Sequence, residues 1–185
     1  MVWLWVTLAV IVLLGLFVAT TYNSLVQLRN KVRDQWAQVD VQLKKRFDLV
    51  PNLVETVKGY AKHEKETFEK VIEARSKFSS ARTPETEMEA SGELSKALSR
   101  IMMLAESYPE LKANQNFLKL QEELADVEEK IAYARQFYND RVLSYMDKIQ
   151  MFPSNVVASM FKFKEAKYFE AVAEEKEAPK VSFDK

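Results

Sequence analysis

From Val2 to Ala19 the chain reads VWLWVTLAVIVLLGLFVA, broken only by Thr7 and Gly15, and no charged side chain occurs before Arg29. A helix rises about 1.5 Å per residue, so this run covers about 27 Å, and Thr20 to Tyr22 extend it to the ~30 Å of a hydrocarbon core. Inside lipid every backbone N–H and C=O must be bonded within the segment, which a single span achieves only as a helix. Trp3 and Trp5 at one end and Tyr22 at the other stand where interfacial aromatics are expected. The alternative is a cleaved signal peptide. No basic residue precedes the run, which is longer than the ~7–15 residues of a signal core. Phe17 would also put a bulky residue two positions before Ala19 in any small-x-small cleavage site. The reading is a retained single-pass anchor over residues 1–22.

Basic residues follow the span. Arg29, Lys31, Arg33, Lys44, Lys45 and Arg46 are offset nearby only by Asp34 and Asp40. The positive-inside rule then expects the body in the cytoplasm and the N-terminus outside; the membrane expected for the anchor is the cell (inner) membrane. The formal net charge of zero hides this asymmetry: residues 1–62 carry 8 basic and 4 acidic side chains, the remainder 19 and 23. Nothing in that balance points to a nucleic-acid partner. With no Cys, disulfides, Cys-ligated zinc and iron–sulfur clusters are excluded. Three Gly in 185 residues leave few sites for tight hairpin turns, which argues against a β fold.

The body reads as long amphipathic helices. Leu25, Leu28, Val32, Trp36, Val39, Leu43, Phe47 and Val50 recur at spacings of three and four, an eleven-residue repeat on a helix continuous with the anchor. Pro51 has no N–H for the carbonyl of Phe47, so a kink or restart is expected there. The stripe resumes through Val54, Val57, Ala61, Phe68, Ile72 and Phe78. Thr83-Pro84-Glu85 has the form of a helix start, and Leu94, Leu98, Ile101, Ala105 and Tyr108 share one face before Pro109. The next helix carries Phe117, Leu120, Leu124, Val127, Ile131, Ala134, Tyr138, Val142, Tyr145 and Ile149 to about Gln150. Pro153 ends it, and Ser154-Asn155 can cap a shorter helix through Phe169. The charged, Pro-containing residues 174–185 are expected to be a flexible tail. The fold class is all-α: an N-terminal transmembrane helix continuing into an antiparallel up-and-down four-helix bundle of long helices over residues 23–173.

The catalytic inventory is thin. His63 is the only histidine, and His63-Glu64-Lys65-Glu66 lacks the second histidine of H-E-x-x-H. No Glu-x-x-His pair, calcium loop or Gly-rich phosphate loop can be written. The expectation is no enzyme, no cofactor and no metal, with His63 an exposed or half-buried helix residue. Lys44-Lys45-Arg46 lies ~28 Å along a helix from the span, beyond a Debye length, and is read as a solvated face beside Leu43 and Phe47. The five aromatics from Phe152 to Phe169 are read as packing on the bundle end, with an exposed partner surface the alternative.

These residues resemble the LemA family. The carriers are Tyr22-Asn23-Ser24-Leu25-Val26-Gln27-Leu28-Arg29-Asn30, Trp36, and the run Asp40-Val41-Gln42-Leu43-Lys44-Lys45-Arg46-Phe47-Asp48-Leu49-Val50-Pro51-Asn52-Leu53 continuing to Ala61. Gln136-Phe137-Tyr138-Asn139 and Phe152-Pro153-Ser154-Asn155, with Phe163 and Tyr168-Phe169-Glu170, complete the similarity. Two departures are Gln35, where alanine is common, and Lys162, where glycine often stands. The resemblance implies a bacterial-type membrane-anchored helical bundle without catalytic residues, associated with membrane quality control and, in one branch, organelle-like compartments. It marks Asn23, Leu25, Arg29, Trp36, Gln42, Arg46, Asp48, Pro51, Asn52, Phe152, Pro153, Ser154 and Asn155 as structural or partner-binding positions. Asp48, Arg46, Asn52 and Gln42 are placed to cap or cross-brace an open turn at Pro51.

The functional expectation is a membrane-tethered scaffold or adaptor. Its partners would be the lipid bilayer, through the N-terminal helix, and a membrane protein or further copies of itself. A membrane-remodelling protein working by self-assembly is the second reading, and a carboxylate/His63-dependent membrane-bound hydrolase the third.

Overall fold

The computed structural model describes residues 1–170, so the expected tail at 174–185 lies outside the described residues. Six helices and no strand occur among the described residues: α1 Val2–Lys58, α2 Lys65–Ser80, α3 Pro84–Glu106, α4 Pro109–Lys112, α5 Gln115–Gln150 and α6 Ser154–Met160. The protein is an all-α helical bundle with a long apolar N-terminal helix. The described residues divide into two compact units, Met1–Val41 with Ala132–Tyr168, and Gln42–Ile131 with residues 169–170.

In the second unit four helical segments, from α1, α2, α3 and α5, enclose one core. Val50, Leu53, Val54 and Val57 of α1 meet Phe68, Val71 and Ala74 of α2 there. Leu94, Leu98 and Ile101 of α3, Leu111 of α4, and Phe117 and Leu124 of α5 complete it. Helices α2 and α3 run antiparallel through a short connection, and Lys77 late in α2 pairs with Glu93 early in α3 at 3.0 Å. The expected start at Thr83 is present as a reciprocal cap: Thr86 N–H donates to Thr83 Oγ1 at 3.3 Å, and Thr83 N–H donates to Thr86 Oγ1 at 3.1 Å.

Three expectations are corrected here. The break falls at Gly59–Glu64, not at Pro51, which lies inside α1. A mid-helix proline costs about 3 kcal/mol. Val50, Leu53, Val54 and Val57 are all buried around it, and each buried side chain contributes about 1.5–3 kcal/mol, so packing outweighs the lost hydrogen bond. In α2 the buried position is Val71, whereas Ile72 is exposed. The eleven-residue repeat of α1 is a seven-residue one: Leu25, Val32, Val39, Arg46 and Leu53 are buried at every seventh position, and Leu43, Val50 and Val57 each follow a member of that row by four. Phe47 is only half-buried, packing beside the core on Phe78 at 5.6 Å and beneath the Arg75 guanidinium at 4.1 Å.

In the first unit α1 and α5 run antiparallel: Trp36 meets Tyr138 edge-on at 5.3 Å, while Tyr145, two turns further along α5, lies within the field of Arg29 and Arg33. Leu25, Val32 and Val39 are buried, as are Ala134, Tyr138, Val142, Tyr145 and Ile149 of α5 and Val157 and Ala158 of α6. The last helix does not reach Phe169. It stops at Met160, and the chain continues without regular structure.

Candidate functional site

Arg46 is the feature of the second unit that sequence reading placed wrongly. It is 1% exposed rather than part of a solvated face. Its Nη1 donates to Ser95 Oγ at 2.7 Å and to Glu128 Oε1 at 2.9 Å, and its Nη2 donates to Ser91 Oγ at 2.8 Å and Ser91 O at 3.1 Å. Nε is buried with no hydrogen-bond partner among the described residues. One guanidinium fork therefore joins α1, α3 and α5. Asp48 and Asn52 are exposed, and among the described residues Arg46 bonds to Ser91, Ser95 and Glu128 and to neither of them. Gln42 Oε1 is buried without a hydrogen-bond partner among the described residues. Ser91 and Ser95 sit one turn apart on the apolar face of α3, beside Leu94 and Leu98. Two hydroxyls on a core stripe were the available signal that something polar is received there.

Ser95 and Glu128 also line a surface cleft of ≈ 490 Å³ with Leu98, Met102, Gln121 and Leu124. Its polar groups are hydroxyls, an amide and one carboxylate already engaged by Arg46. That set supplies no nucleophile with an adjacent base. His63 is exposed in the turn before α2, not on a helix, and makes no hydrogen bond or ion pair among the described residues. No group of three or more metal-ligating side chains is gathered among the described residues.

The first unit holds the remaining motif positions. Leu25 is fully buried and Asn23 exposed, and Trp36 is half-buried on Tyr138. Arg29 lies over the ring of Phe163 at 5.3 Å. Phe163 and Phe161 both pack on Tyr22, at 5.7 and 4.7 Å. Phe152 is exposed and joined to Pro153 by a cis peptide bond. Ser154 is the first residue of α6 and not its cap: its Oγ donates back to Met151 O at 2.9 Å. Asn155 is half-buried, with Oδ1 lacking a hydrogen-bond partner among the described residues.

Helix α6 ends in a Schellman turn. Phe163 N–H donates to Ala158 O at 2.9 Å and Lys162 N–H to Ser159 O at 3.1 Å, the paired 6→1 and 5→2 bonds of that motif. Lys162 has a φ of 56°, the left-handed conformation. This is the position where the family resemblance expects glycine, and a side chain there costs about 1–2 kcal/mol. Lys162→Gly is expected to raise stability by about 1 kcal/mol, read as a higher Tm of the full-length protein. An unchanged or lower Tm would refute this.

Beyond the turn, residues 163–168 form a strap along α5. Tyr145 Oη donates to Lys164 O at 2.7 Å and Tyr138 Oη to Lys167 O at 3.0 Å. Three extended residues span about 10 Å and seven helical ones about 10.5 Å, so the two tethers match in length. Burial pushes the Tyr145 hydroxyl above its usual pKa of 10.0, opposed in part by Arg29 and Arg33. A folded pKa above the unfolded one means the stabilisation is complete below pH 10 and is lost as pH rises through the folded value. Alkaline titration of wild type should show this loss, and Tyr145→Phe should remove it. Identical alkaline limbs would exclude Tyr145 as the source.

Comparison with known proteins gives one family and several relatives. The family model described as the LemA family matches residues 35–183. The protein named LemA of Metamycoplasma hominis is 25% identical over 150 residues, covering 80% of this chain and 68% of that protein. Magnetosome protein MamQ 2 of Paramagnetospirillum magneticum is 32% identical over 81 residues, covering 44% of this chain and 30% of the relative. Magnetosome protein MamQ of Magnetospirillum gryphiswaldense is 30% identical over 80 residues, covering 43% and 29%. The match thus spans less than a third of the length of either magnetosome relative. With a family model matched over residues 35–183, this chain belongs to the LemA family.

Proposed function

We propose that the protein is a membrane-anchored, non-enzymatic scaffold or adaptor. The apolar start of α1 holds it in the cell's inner membrane, and the helical body, on the cytoplasmic side, binds other membrane proteins or further copies of itself. Its work is in membrane-protein quality control or membrane organisation. The observation that carries this reading is that none of the residues Val2 to Ala19 is buried by the protein, although the stretch has the length and composition to cross a bilayer. The fully buried guanidinium of Arg46 is bonded to side chains of two other helices, and the surface of the body is the means of action. Tyr133 and Phe137, one turn apart on α5, are 57% and 53% exposed, and aromatic side chains dominate protein–protein binding energies.

Crosslinking in native membranes is expected to recover a specific partner or a ladder of homo-oligomers. Tyr133→Ser combined with Phe137→Ser should reduce that recovery about tenfold without lowering Tm, equivalent to about 1.4 kcal/mol of contact. A monomeric, partnerless wild type would overturn the scaffold. A cysteine at Ser182 should stay unlabelled by an impermeant thiol reagent in intact cells; labelling would reverse the orientation. Similarity to proteins named for the magnetosome favours a second reading, compartment shaping by self-assembly. Deformation of lipid vesicles by the purified protein supports it, and unaltered vesicles remove it.

A further inference from the structure

The chain from Met151 to Phe161 turns a row of large apolar side chains outward. Phe152 is 83% exposed, Met151, Val156 and Met160 are each near 60%, and Phe161 is 47%. The same segment buries Ser154, Val157 and Ala158 on its inner side, so its outer side is apolar without being core. Its place in the unit is fixed by Phe161. That ring packs on Tyr22 at 4.7 Å and lines a depression of ≈ 450 Å³ with Leu14, Gly15, Val18 and Ala19 of α1. Those four residues belong to the uncharged run that precedes Arg29. Between Lys148 and Lys164 the segment carries Lys148, Lys162 and Lys164 and no acidic residue.

We infer that Met151–Phe161 is a second membrane contact: its outer apolar side enters the headgroup–acyl boundary of the bilayer that α1 crosses, with Lys162 and Lys164 at the phosphates. This rests on the anchor reading given above. The depth agrees. Val18 lies one turn, about 6 Å, below Tyr22 along α1, and interfacial helices enter about 5–10 Å. The depression that Phe161 lines is continuous with the span, so an apolar surface beside it faces lipid before it faces water. The occupant is therefore the bilayer itself. Basic residues flanking an outward apolar row are the composition of interfacial segments.

The chain has no cysteine, so single-cysteine variants can be spin-labelled without background. Val156→Cys and Met160→Cys would be compared with Gln136→Cys, an exposed α5 site about 22 Å of helix away from Met151, and with Val10→Cys within the span. The full-length protein is reconstituted in vesicles of phosphatidylcholine with phosphatidylglycerol as the minor lipid, and collisions with oxygen and with a water-soluble nickel chelate are measured. Labels at 156 and 160 are expected to be about fivefold less accessible to nickel than the label at 136, and more accessible to oxygen, at a shallow depth. Nickel accessibility equal to that at 136 would overturn the contact. So would shielding from both reagents, which would mean that a second copy or another protein covers the segment. A nickel-accessible label at position 10 would overturn the anchor itself, whereas a lipid-buried one beside water-exposed 156 and 160 defeats only this inference.

Discussion

Arg46→Ala is expected to lower the unfolding free energy of the full-length protein in detergent by about 4 kcal/mol, among the larger effects any single core change produces. The long side chain fills core space, so its removal leaves a cavity whose cost adds to the lost burial. Ser91 O, Ser91 Oγ and Ser95 Oγ each lose a donor, at about 1–3 kcal/mol for an unsatisfied buried group. The two hydroxyls can recover part of that by bonding carbonyls of their own helix. Arg46→Lys keeps the charge but not the planar fork, and should cost about 2 kcal/mol. Glu128→Gln is the mildest. Its side chain is 45% exposed, so solvent screens the lost charge, the amide oxygen can still accept from Nη1, and about 1 kcal/mol is expected. Thermal or urea unfolding followed by circular dichroism measures the series. An Arg46→Ala protein as stable as wild type would show that the buried guanidinium is not structural.

What was legible in the sequence was whatever the apolar period alone could carry. The α5 stripe from Phe117 to Ile149 is buried as read, save half-buried Leu120, because no charged residue intrudes on that face. On α1 a buried Arg46 occupies a seam position, and a scan that counts only apolar residues steps to Phe47 and lengthens the repeat. Pro51 misled for a related reason: a local penalty was read without the four buried aliphatics that outweigh it. Lys162 was flagged through the family resemblance as an odd occupant of a glycine position, and the Schellman turn supplies the cause. The partners of Arg46 were not legible. Ser91 and Ser95 lie 45 and 49 positions from it and Glu128 lies 82 away, and no local pattern reports contacts of that range.

Placing two arginines in the apolar stretch, Leu8→Arg with Leu13→Arg, is expected to strip the protein from membranes. Each exchange replaces a residue that favours insertion with one that opposes it by about 2.5–3.5 kcal/mol near the middle of a span. The pair therefore removes about 6–8 kcal/mol, more than about 10⁴-fold in partition. Leu8 and Leu13 are 48% and 65% exposed and meet no core, so the helical signal and Tm of the released body should be unchanged. Leu8→Ala with Leu13→Ala should remain in the membrane through an alkaline carbonate wash, because the run keeps its length and stays uncharged. The test also weighs the two proposed lipid contacts against each other. The interfacial segment, with its short apolar row and two lysines, binds reversibly by the same physics that holds surface helices. Alone it should not survive the wash. If the double-arginine protein stays in the washed membrane like wild type, attachment does not depend on the apolar start of α1, and the anchor reading fails with it.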